Sequence, residues 1–407
     1  MGDVGSYFRP AFYTSAVTLA ALVLAGCNMA GNDTSADTAK AFVATDPFSS
    51  KPDFFPLGVY LQSAQRAEQW SQIGINMISS ANGYLTLDDI KRIEALGMIV
   101  GGNAADLVPL DTSGATLPFF VTADEPDNAQ LQPDGTYGPC VTAAALREES
   151  ASLRKLSGGR PILRNFGRGI VEPDWVGRGK CAGSRDDYYP DAIASVDIAS
   201  FDFYPVMGND RLEKVADGAR QLRSYIQKAG GKQAQWGIVE VSAIKGGPAP
   251  TPLQIRSMAW MHVINGARGL IFFPWQVGEK GERIREDAAF LNPDVIAGLK
   301  ALTSEISGLS SAIKSPEDVS FAVKSPEKYS AMARLYKGDA YVFVVSESTK
   351  GAKIEVELPD FPAESVDILG TGSSAQRDGS RFTDDLNAYD VRIYRARRAA
   401  LKSANRM

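Results

Sequence analysis

Residues 196–242 read VDIASFDFYPVMGNDRLEKVADGARQLRSYIQKAGGKQAQWGIVEVS and contain the repeating unit of this chain. Two short apolar runs, 196–206 and 235–242, flank a polar segment in which hydrophobic residues recur at helical spacing. A buried strand, an amphipathic helix and a second buried strand form the βαβ unit of a parallel sheet. The same alternation continues in both directions along the chain.

Eight such apolar runs occur in about 260 residues, which is the size of a (β/α)8 barrel. The barrel is predicted to span residues 53–314. A doubly wound open sheet is the alternative, but the count of eight and the polar or aromatic strand ends favour the barrel. The predicted strands are FPLGVYL (55–61), INMISS (75–80), GMIVGG (97–102), PFFVTA (118–123), PILRNFG (161–167), VDIASFDFYPV (196–206), QWGIVEVS (235–242) and GLIFFPWQ (269–276).

After residue 314 the pattern changes to period-two alternation of apolar and polar residues between short turns. Such segments are typical of antiparallel strands with one buried face. Residues 315–397 are therefore predicted to form a small antiparallel β-sandwich beside the barrel, and residues 398–407 a solvated basic tail.

Composition excludes several classes of function. The net charge is −5 and no basic cluster precedes the tail, which argues against a nucleic-acid partner. The single histidine, His262, shares a helical stripe with Ile255, Met258 and Ala259, as a packed core residue would. One histidine cannot build a His-rich metal site, and the chain has no GxSxG, P-loop or GxGxxG motif after a strand. We therefore expect carboxylate chemistry that needs neither a metal nor an organic cofactor.

The N-terminus has the pattern of an export signal. Residues 11–26 are apolar and uncharged, too short to span a membrane comfortably, and follow Arg9. The run ends in Leu-Ala-Gly-Cys27, which resembles the bacterial lipoprotein box. The resemblance implies a signal peptide over residues 1–26, cleavage before Cys27 and diacylglycerol on its sulfur. A plain signal peptide followed by an unrelated cysteine is the alternative.

Residues 27–52 are rich in Asn, Thr, Ser, Ala and Asp and are predicted to be a flexible tether. The mature protein would then be anchored to a membrane through its N-terminal lipid without spanning it. Asn28, rather than an aspartate, follows the cysteine, which by resemblance to bacterial lipoprotein sorting favours the outer membrane of the cell envelope.

The other two cysteines form an even pair. With Cys27 lipidated, Cys140 and Cys181 remain, and an oxidising envelope favours a disulfide between them. Two independent buried thiols are the alternative.

Two glutamates end predicted barrel strands. Glu125 lies in TADEPD after the fourth strand, and Glu240 lies in IVEVS at the end of the seventh. In a barrel both face the mouth at the C-terminal ends of the strands. Two carboxyl groups there can flank one glycosidic bond, and a separation of ~5–5.5 Å would indicate a retaining double displacement.

This arrangement resembles the clan of retaining glycoside hydrolases with (β/α)8 barrels that use strands four and seven. The resemblance implies that Glu125 is the acid/base, Glu240 the nucleophile and Trp275 a sugar-stacking residue. It also implies that Tyr204 hydrogen-bonds the nucleophile. Asp124 departs from the clan, which usually has asparagine at that substrate-binding position. A carboxylate there can accept a hydrogen bond from the substrate but cannot donate one, and it adds a negative charge beside Glu125.

Further polar residues end the fifth and sixth predicted strands. Asp202 and Tyr204 share one face of the sixth strand by period two, and we expect that face to point inward. Arg164 and Asn165 are candidates for binding substrate hydroxyls or balancing the carboxylates, with a purely structural role as the alternative.

The sequence thus predicts a retaining glycoside hydrolase that acts on an oligo- or polysaccharide in or outside the envelope. A non-catalytic carbohydrate-binding lipoprotein on a barrel scaffold is the alternative from another class. A transglycosidase that uses the same residues is not separable from a hydrolase by sequence.

Overall fold

The computed structural model describes residues 47–399 except 84, 104–106, 111–118, 130–131, 133 and 173–184. The predicted signal segment, Cys27, Cys181 and the end of the basic tail lie outside the described residues. Within the described part of the chain, no helix is both long and apolar enough to cross a bilayer. Cys140 is part of a disulfide.

The first part of the chain is a closed parallel barrel. Its strands are β1 (Leu57–Val59), β2 (Met77–Ile78), β3 (Ile99–Gly102), β4 (Phe119–Val121), β5 (Ile162–Phe166), β6 (Ile198–Phe201), β7 (Ala234–Gln235), β8 (Gly237–Glu240) and β9 (Leu270–Phe273). They are hydrogen-bonded in the order β7-β6-β5-β4-β3-β2-β1-β9-β8. Because β7 and β8 are two halves of one strand interrupted at Trp236, the sheet closes on itself as eight strands. This confirms the predicted barrel and excludes the open sheet.

The helices surround the barrel. They are α1 (Ala67–Ser71), α2 (Leu87–Ala95), α3 (Ala143–Ser157), α4 (Arg185–Ala194), α5 (Lys214–Lys228), α6 (Pro252–Ile264) and α7 (Pro293–Ile313). Capping boxes at Thr86 and Thr251 fix the starts of α2 and α6. Gly218 lets α5 approach the sheet, because a Cβ there would lie 2.7 Å from the ring of Phe201.

Alternation along the strands separates two cores. Phe119, Leu163 and Ile238 fill the barrel interior, whereas Phe120 and Val239 belong to the layer between strands and helices. The same alternation decides which polar residues at the strand ends face the mouth.

The bottom of the barrel is plugged by the chain that leads into β1. Phe48 lies in the predicted tether, yet its ring is buried against Phe54 and Trp236. The ammonium group of Lys314 donates to the carbonyl oxygens of Phe48, Lys51 and Phe54 at 2.9–3.0 Å. Phe48 and Lys51 therefore contact the barrel, although both lie within the predicted tether of residues 27–52.

The second part of the chain is the predicted β-sandwich. A short hairpin of β10 (Gln276–Val277) and β11 (Arg283–Arg285) precedes α7. The sandwich strands are β12 (Ala322–Lys324), β13 (Tyr329–Tyr336), β14 (Asp339–Ser346), β15 (Ala352–Glu357), β16 (Ala363–Ile368), β17 (Ser373–Ser374), β18 (Gln376–Asp378), β19 (Arg381–Leu386) and β20 (Val391–Arg398). They form antiparallel sheets of four and five strands. Phe343 of β14 stacks on Trp260 of α6 with ring centroids 5.4 Å apart, so the sandwich packs directly on the barrel helices.

Candidate active site

One amide joins two carboxylates at the mouth of the barrel. The Asn165 Nδ2, at the end of β5, donates to Asp124 Oδ1 at 2.9 Å and to Asp202 Oδ1 at 3.2 Å. The Asn165 Oδ1 accepts a hydrogen bond from the Ser200 hydroxyl at 2.9 Å, which fixes the orientation of the amide. Asp124 is exposed, whereas Asp202 keeps only 9% of its surface exposed. Strands β4, β5 and β6 thus bring Asp124, Asn165 and Asp202 into one site, as a barrel mouth should.

Glu125 lies beside this pair in an unusual backbone conformation. Its φ is +42°, and its N–H donates to the carbonyl of Asn165 at 3.1 Å. The Asn128 Nδ2 donates to Glu125 Oε2 at 3.3 Å. The carboxylate lies directly over Gly167, where an added Cβ would be 3.0 Å from Oε1. A left-handed non-glycine residue costs energy and recurs at functional sites, so this turn is a candidate site feature.

Asp127 holds the same loop in place through hydrogen bonds to its carboxylate. It accepts hydrogen bonds from the Gly167 N–H and the Tyr189 hydroxyl, each at 2.8 Å. Burial raises its pKa to about 6, against the lowering effect of these donors. The anchor ties the loop after β4 to the end of β5 and to α4.

The charges of the cluster act on Asp202. Burial raises the pKa of Asp202 well above its usual range, and the negative charges of Glu125 and Asp124 raise it further. Hydrogen bonds from Tyr204 and Asn165 oppose this rise. The environment of Asp202 therefore favours its protonated form.

Glu240 does not have the accessible position that the predicted nucleophile requires. It is fully buried, and its two oxygens accept hydrogen bonds from the backbone N–H groups of Val206 at 2.7 Å and Met207 at 3.1 Å. Burial raises its pKa to about 7. Tyr204 hydrogen-bonds Asp202 rather than the predicted partner Glu240. Glu240 thus holds the loop after β6 in place, under the surface of the mouth.

Aromatic residues form one wall of the mouth. Tyr60, Tyr204 and Phe273 are half-buried, and the Phe273 centroid lies 6.1 Å from that of Tyr60 and 5.5 Å from that of Tyr204. The pKa of the Tyr60 hydroxyl is raised by burial and by Asp124, Asp202 and Glu125. Tyr60 and Phe273 were not predicted as site residues, although Tyr60 directly follows β1 and Phe273 ends β9, both on the inward-facing parity.

Trp275 does not form the predicted sugar platform. Only 7% of its surface is exposed, and its indole N–H donates to the carbonyl of Leu61 at 2.8 Å. The guanidinium of Arg283, from the β10–β11 hairpin, lies 5.4 Å from its ring centroid. This hairpin follows β9 directly, and its Arg283 covers the indole.

Arg164 does not reach the mouth either, so its predicted role in substrate binding is corrected. It is fully buried on the outer face of β5 and pairs with Glu149 of α3 at 2.8 Å. Its guanidinium also donates to the Ser195 hydroxyl at 2.7 Å and the Ala192 carbonyl at 3.2 Å. Neighbouring residues on a strand face opposite sides, and Asn165 occupies the inner one. Arg164 therefore joins β5 to the helices.

His262 lies in the core, as its stripe predicts. It is 1% exposed, its Nε2 is 3.2 Å from the carbonyl oxygen of Ile238, and burial lowers its pKa to about 4. Among the described residues, no group of three His, Cys, Asp or Glu side chains is arranged to hold a metal ion.

Comparison with known proteins identifies the fold class. No family model matches the chain, and no curated protein matches it. Among solved structures, the chain is similar to an α-amylase from Geobacillus thermoleovorans complexed with acarbose, at 11% identity and a TM-score of 0.51 over 86% of this chain and 99% of that one. It is also similar to a candidate α-galactosidase from Bacteroides fragilis, at 11% identity and a TM-score of 0.53 over 86% and 80%. Eubacterium rectale Amy13B matches at 10% identity and a TM-score of 0.50 over 88% and 100%.

At such identities the likeness establishes the architecture alone. The chain has a (β/α)8 barrel followed by a C-terminal β domain, an arrangement that covers nearly the whole described chain.

Proposed function

We propose that this protein is a retaining glycoside hydrolase that cleaves an oligo- or polysaccharide in or outside the cell envelope. The observation that carries the proposal is the cluster of Asp124, Glu125 and Asp202 at the barrel mouth, two of which share the amide of Asn165. Glycosidic cleavage needs one carboxyl group that donates a proton and one carboxylate on the other side of the bond. The cluster can supply both the carboxylate and the protonated carboxyl group, because Asp124 is exposed and Asp202 is buried beside two negative charges.

Two further observations support a sugar as the substrate. Half-buried Tyr60, Tyr204 and Phe273 line the mouth beside the carboxylates, and aromatic faces pack well against the apolar faces of sugar rings. Two of the solved structures with this architecture are described as an amylase and a candidate galactosidase.

The location of the protein in the cell is also part of the proposal. We propose that lipid on Cys27 anchors the protein in the envelope, on the outer membrane. Growth with an alkyne analogue of palmitate should label the wild-type protein and place it in the membrane fraction. Cys27→Ser should lose both the label and the membrane association, and labelled Cys27→Ser protein would refute the anchor.

The test of the activity is a screen of the purified protein against envelope and plant glycans, with the product anomer recorded by NMR at early times. We expect a product that retains the anomeric configuration of the substrate. The double variant Asp124→Ala/Asp202→Ala should lose hydrolysis, whereas Asp134→Asn, an exposed carboxylate in the same loop, should keep it. An inverted product would contradict the retaining mechanism, and hydrolysis that survives in the double variant would place the activity elsewhere.

A non-catalytic carbohydrate-binding protein is the second candidate, and the burial of Glu240 favours it. A binder would retain glycans in a pull-down or calorimetric titration and release no reducing ends. The same screen separates a transglycosidase, because added acceptor sugars would then yield longer products at the expense of hydrolysis.

A further inference from the structure

We propose that Asp124 and Asp202 are the catalytic pair, with Asp124 as nucleophile and Asp202 as acid/base, and that Asn165 sets the distance between them. This inference rests on the proposed glycosidase function and replaces the pair Glu125 and Glu240 that the sequence predicts.

The first argument is the distance that Asn165 imposes. Its Nδ2 lies 2.9 Å from Asp124 Oδ1 and 3.2 Å from Asp202 Oδ1. Because both oxygens lie within hydrogen-bond distance of this one nitrogen, they can be at most about 6 Å apart. Retaining glycosidases have their two carboxyl groups at ~5–5.5 Å, whereas inverting enzymes need ~6.5–9.5 Å to admit a water. The shared amide thus keeps these two oxygens closer together than the separation that an inverting pair needs.

The second argument assigns the two roles. Asp124 is exposed at the mouth, where a carboxylate oxygen can reach the anomeric carbon of a bound sugar. Asp202 lies deeper, accepts hydrogen bonds from Asn165 and Tyr204, and has Glu125 and Asp124 as negatively charged neighbours. Like charges and burial favour the protonated form of one member of such a group, which is the state a general acid needs.

The third argument removes Glu240 from direct chemistry. A nucleophile must present an oxygen to the substrate, but Glu240 is fully buried and both its oxygens accept backbone N–H groups. These N–H groups belong to Val206 and Met207, four and five residues after Asp202. Glu240 is therefore a positioning residue for the loop that follows the acid.

Glu125 has a supporting place beside the pair. Its side chain packs over Gly167 and accepts from Asn128, and its charge contributes to keeping a proton on Asp202.

The reaction follows in two balanced steps. First, Asp202 gives its proton to the glycosidic oxygen, and the bond from the anomeric carbon to that oxygen breaks with its electron pair going to the oxygen. An oxygen of Asp124 bonds to the anomeric carbon, which forms a glycosyl ester. In the second step a water molecule gives a proton to the Asp202 carboxylate and bonds to the anomeric carbon. The ester bond breaks, and its electron pair returns to Asp124.

The decisive experiment is covalent trapping. The full-length protein is incubated with 5-fluoroglycosyl fluorides and 2-deoxy-2-fluoroglycosyl fluorides of common pyranoses, in both anomeric forms. It is then digested, and tandem mass spectrometry locates the modified residue, resolving Asp124 from its neighbour Glu125. We expect the label on Asp124 in the wild-type protein and in Glu125→Gln.

Two variants test the acid separately. Asp202→Asn should slow hydrolysis of glycosides with poor leaving groups by about 10²–10⁴-fold. The same variant should cleave 2,4-dinitrophenyl glycosides with a much smaller loss, since that leaving group needs no proton. Asp124→Asn should lose both activities, and a far-UV spectrum and melting temperature close to wild type show that each variant folds. Asp134→Asn is the matched control for an exposed aspartate in the same loop and should resemble wild type.

The outcomes separate this inference from the function on which it rests. Hydrolysis with a label on Glu125 or Glu240 overturns the pair and leaves the glycosidase intact. Equal loss for both leaving groups in Asp202→Asn overturns its role as the acid. Neither hydrolysis nor labelling with any sugar overturns both the pair and the proposed function.

Discussion

Replacing Glu240 with glutamine should change how the stability of the barrel depends on pH. The pKa of Glu240 is raised by burial from 4.5 to about 7 in the folded protein, where the side chain is fully buried. Between these two values the folded state binds the Glu240 proton more tightly than the unfolded state does. The free energy of unfolding therefore decreases as the pH rises from 4.5 to 7 and levels off above that range.

The size of this change in the free energy of unfolding follows from the difference between the two pKa values of Glu240. A shift of this width corresponds to about 3 kcal/mol, of which about 2–3 kcal/mol falls between pH 5 and pH 8. A glutamine does not titrate, so Glu240→Gln lacks this contribution at every pH. The stability of the variant relative to wild type should therefore improve by about 2–3 kcal/mol from pH 5 to pH 8. Asp127 and Asp202 titrate in both proteins, and their contributions cancel in the difference.

The assay is urea unfolding followed by tryptophan fluorescence at pH 5, 6, 7 and 8. All five tryptophans lie within residues 53–314, so the signal reports on the barrel. Glu148→Gln, an exposed glutamate in α3, is the matched control and should give a difference that does not vary with pH. A difference for Glu240→Gln that stays constant to within about 0.5 kcal/mol, the usual limit for surface changes, would refute the buried, backbone-bonded carboxylate.

Three further variants test other parts of the structure. Arg164→Met removes a fully buried charge that pairs with Glu149 and donates to the Ser195 hydroxyl, so we expect about 3 kcal/mol of destabilisation by urea unfolding and kcat/KM within tenfold of wild type. A substrate-binding role for Arg164 would instead show as a large rise in KM without loss of stability. Gly167→Ala places a Cβ 3.0 Å from Glu125 Oε1 and 3.3 Å from its Cδ, so kcat/KM should fall by about 10- to 100-fold while the melting temperature changes little. Unchanged activity would show that the position of Glu125 does not matter. Phe273→Ala opens the aromatic wall and should raise KM by about tenfold, with a smaller change in kcat, in steady-state assays. A variant with normal KM would remove the wall from the binding site.

Much of the architecture is present in the periodicity of the sequence. The eight apolar runs correspond to the barrel strands, because each run must be buried on both faces between the interior and the helices. The change to alternation after residue 314 marks the sandwich for the same reason, since its sheets bury one face. What periodicity does not reveal is the break at Trp236, where one strand divides into β7 and β8.

The site was predicted only in part, and parity along the strands explains the difference. Asp202 and Tyr204 face inward together, as period two requires, but the same rule places Arg164 opposite Asn165 on β5. The same parity, applied to β1 and β9, places Tyr60 and Phe273 on the inner side of the barrel.

Two predicted site residues are covered by loops or hairpins of the barrel mouth, and no local sequence pattern contains this information. Glu240 has the parity of a mouth residue, but the turn at residues 206–207 donates to both its oxygens from another strand. Trp275 is covered in the same way by the hairpin that follows it. Such coverage depends on how loops from distant strands fold back, which a strand-by-strand prediction does not include.

The plug formed by Phe48 and Phe54 determines the end of the barrel at which the described chain begins. The chain enters the barrel at its closed end, whereas Asp124 and Asp202 open at the other end. A fused partner attached at residue 47 would therefore be joined to the barrel at the end opposite to these two carboxylates.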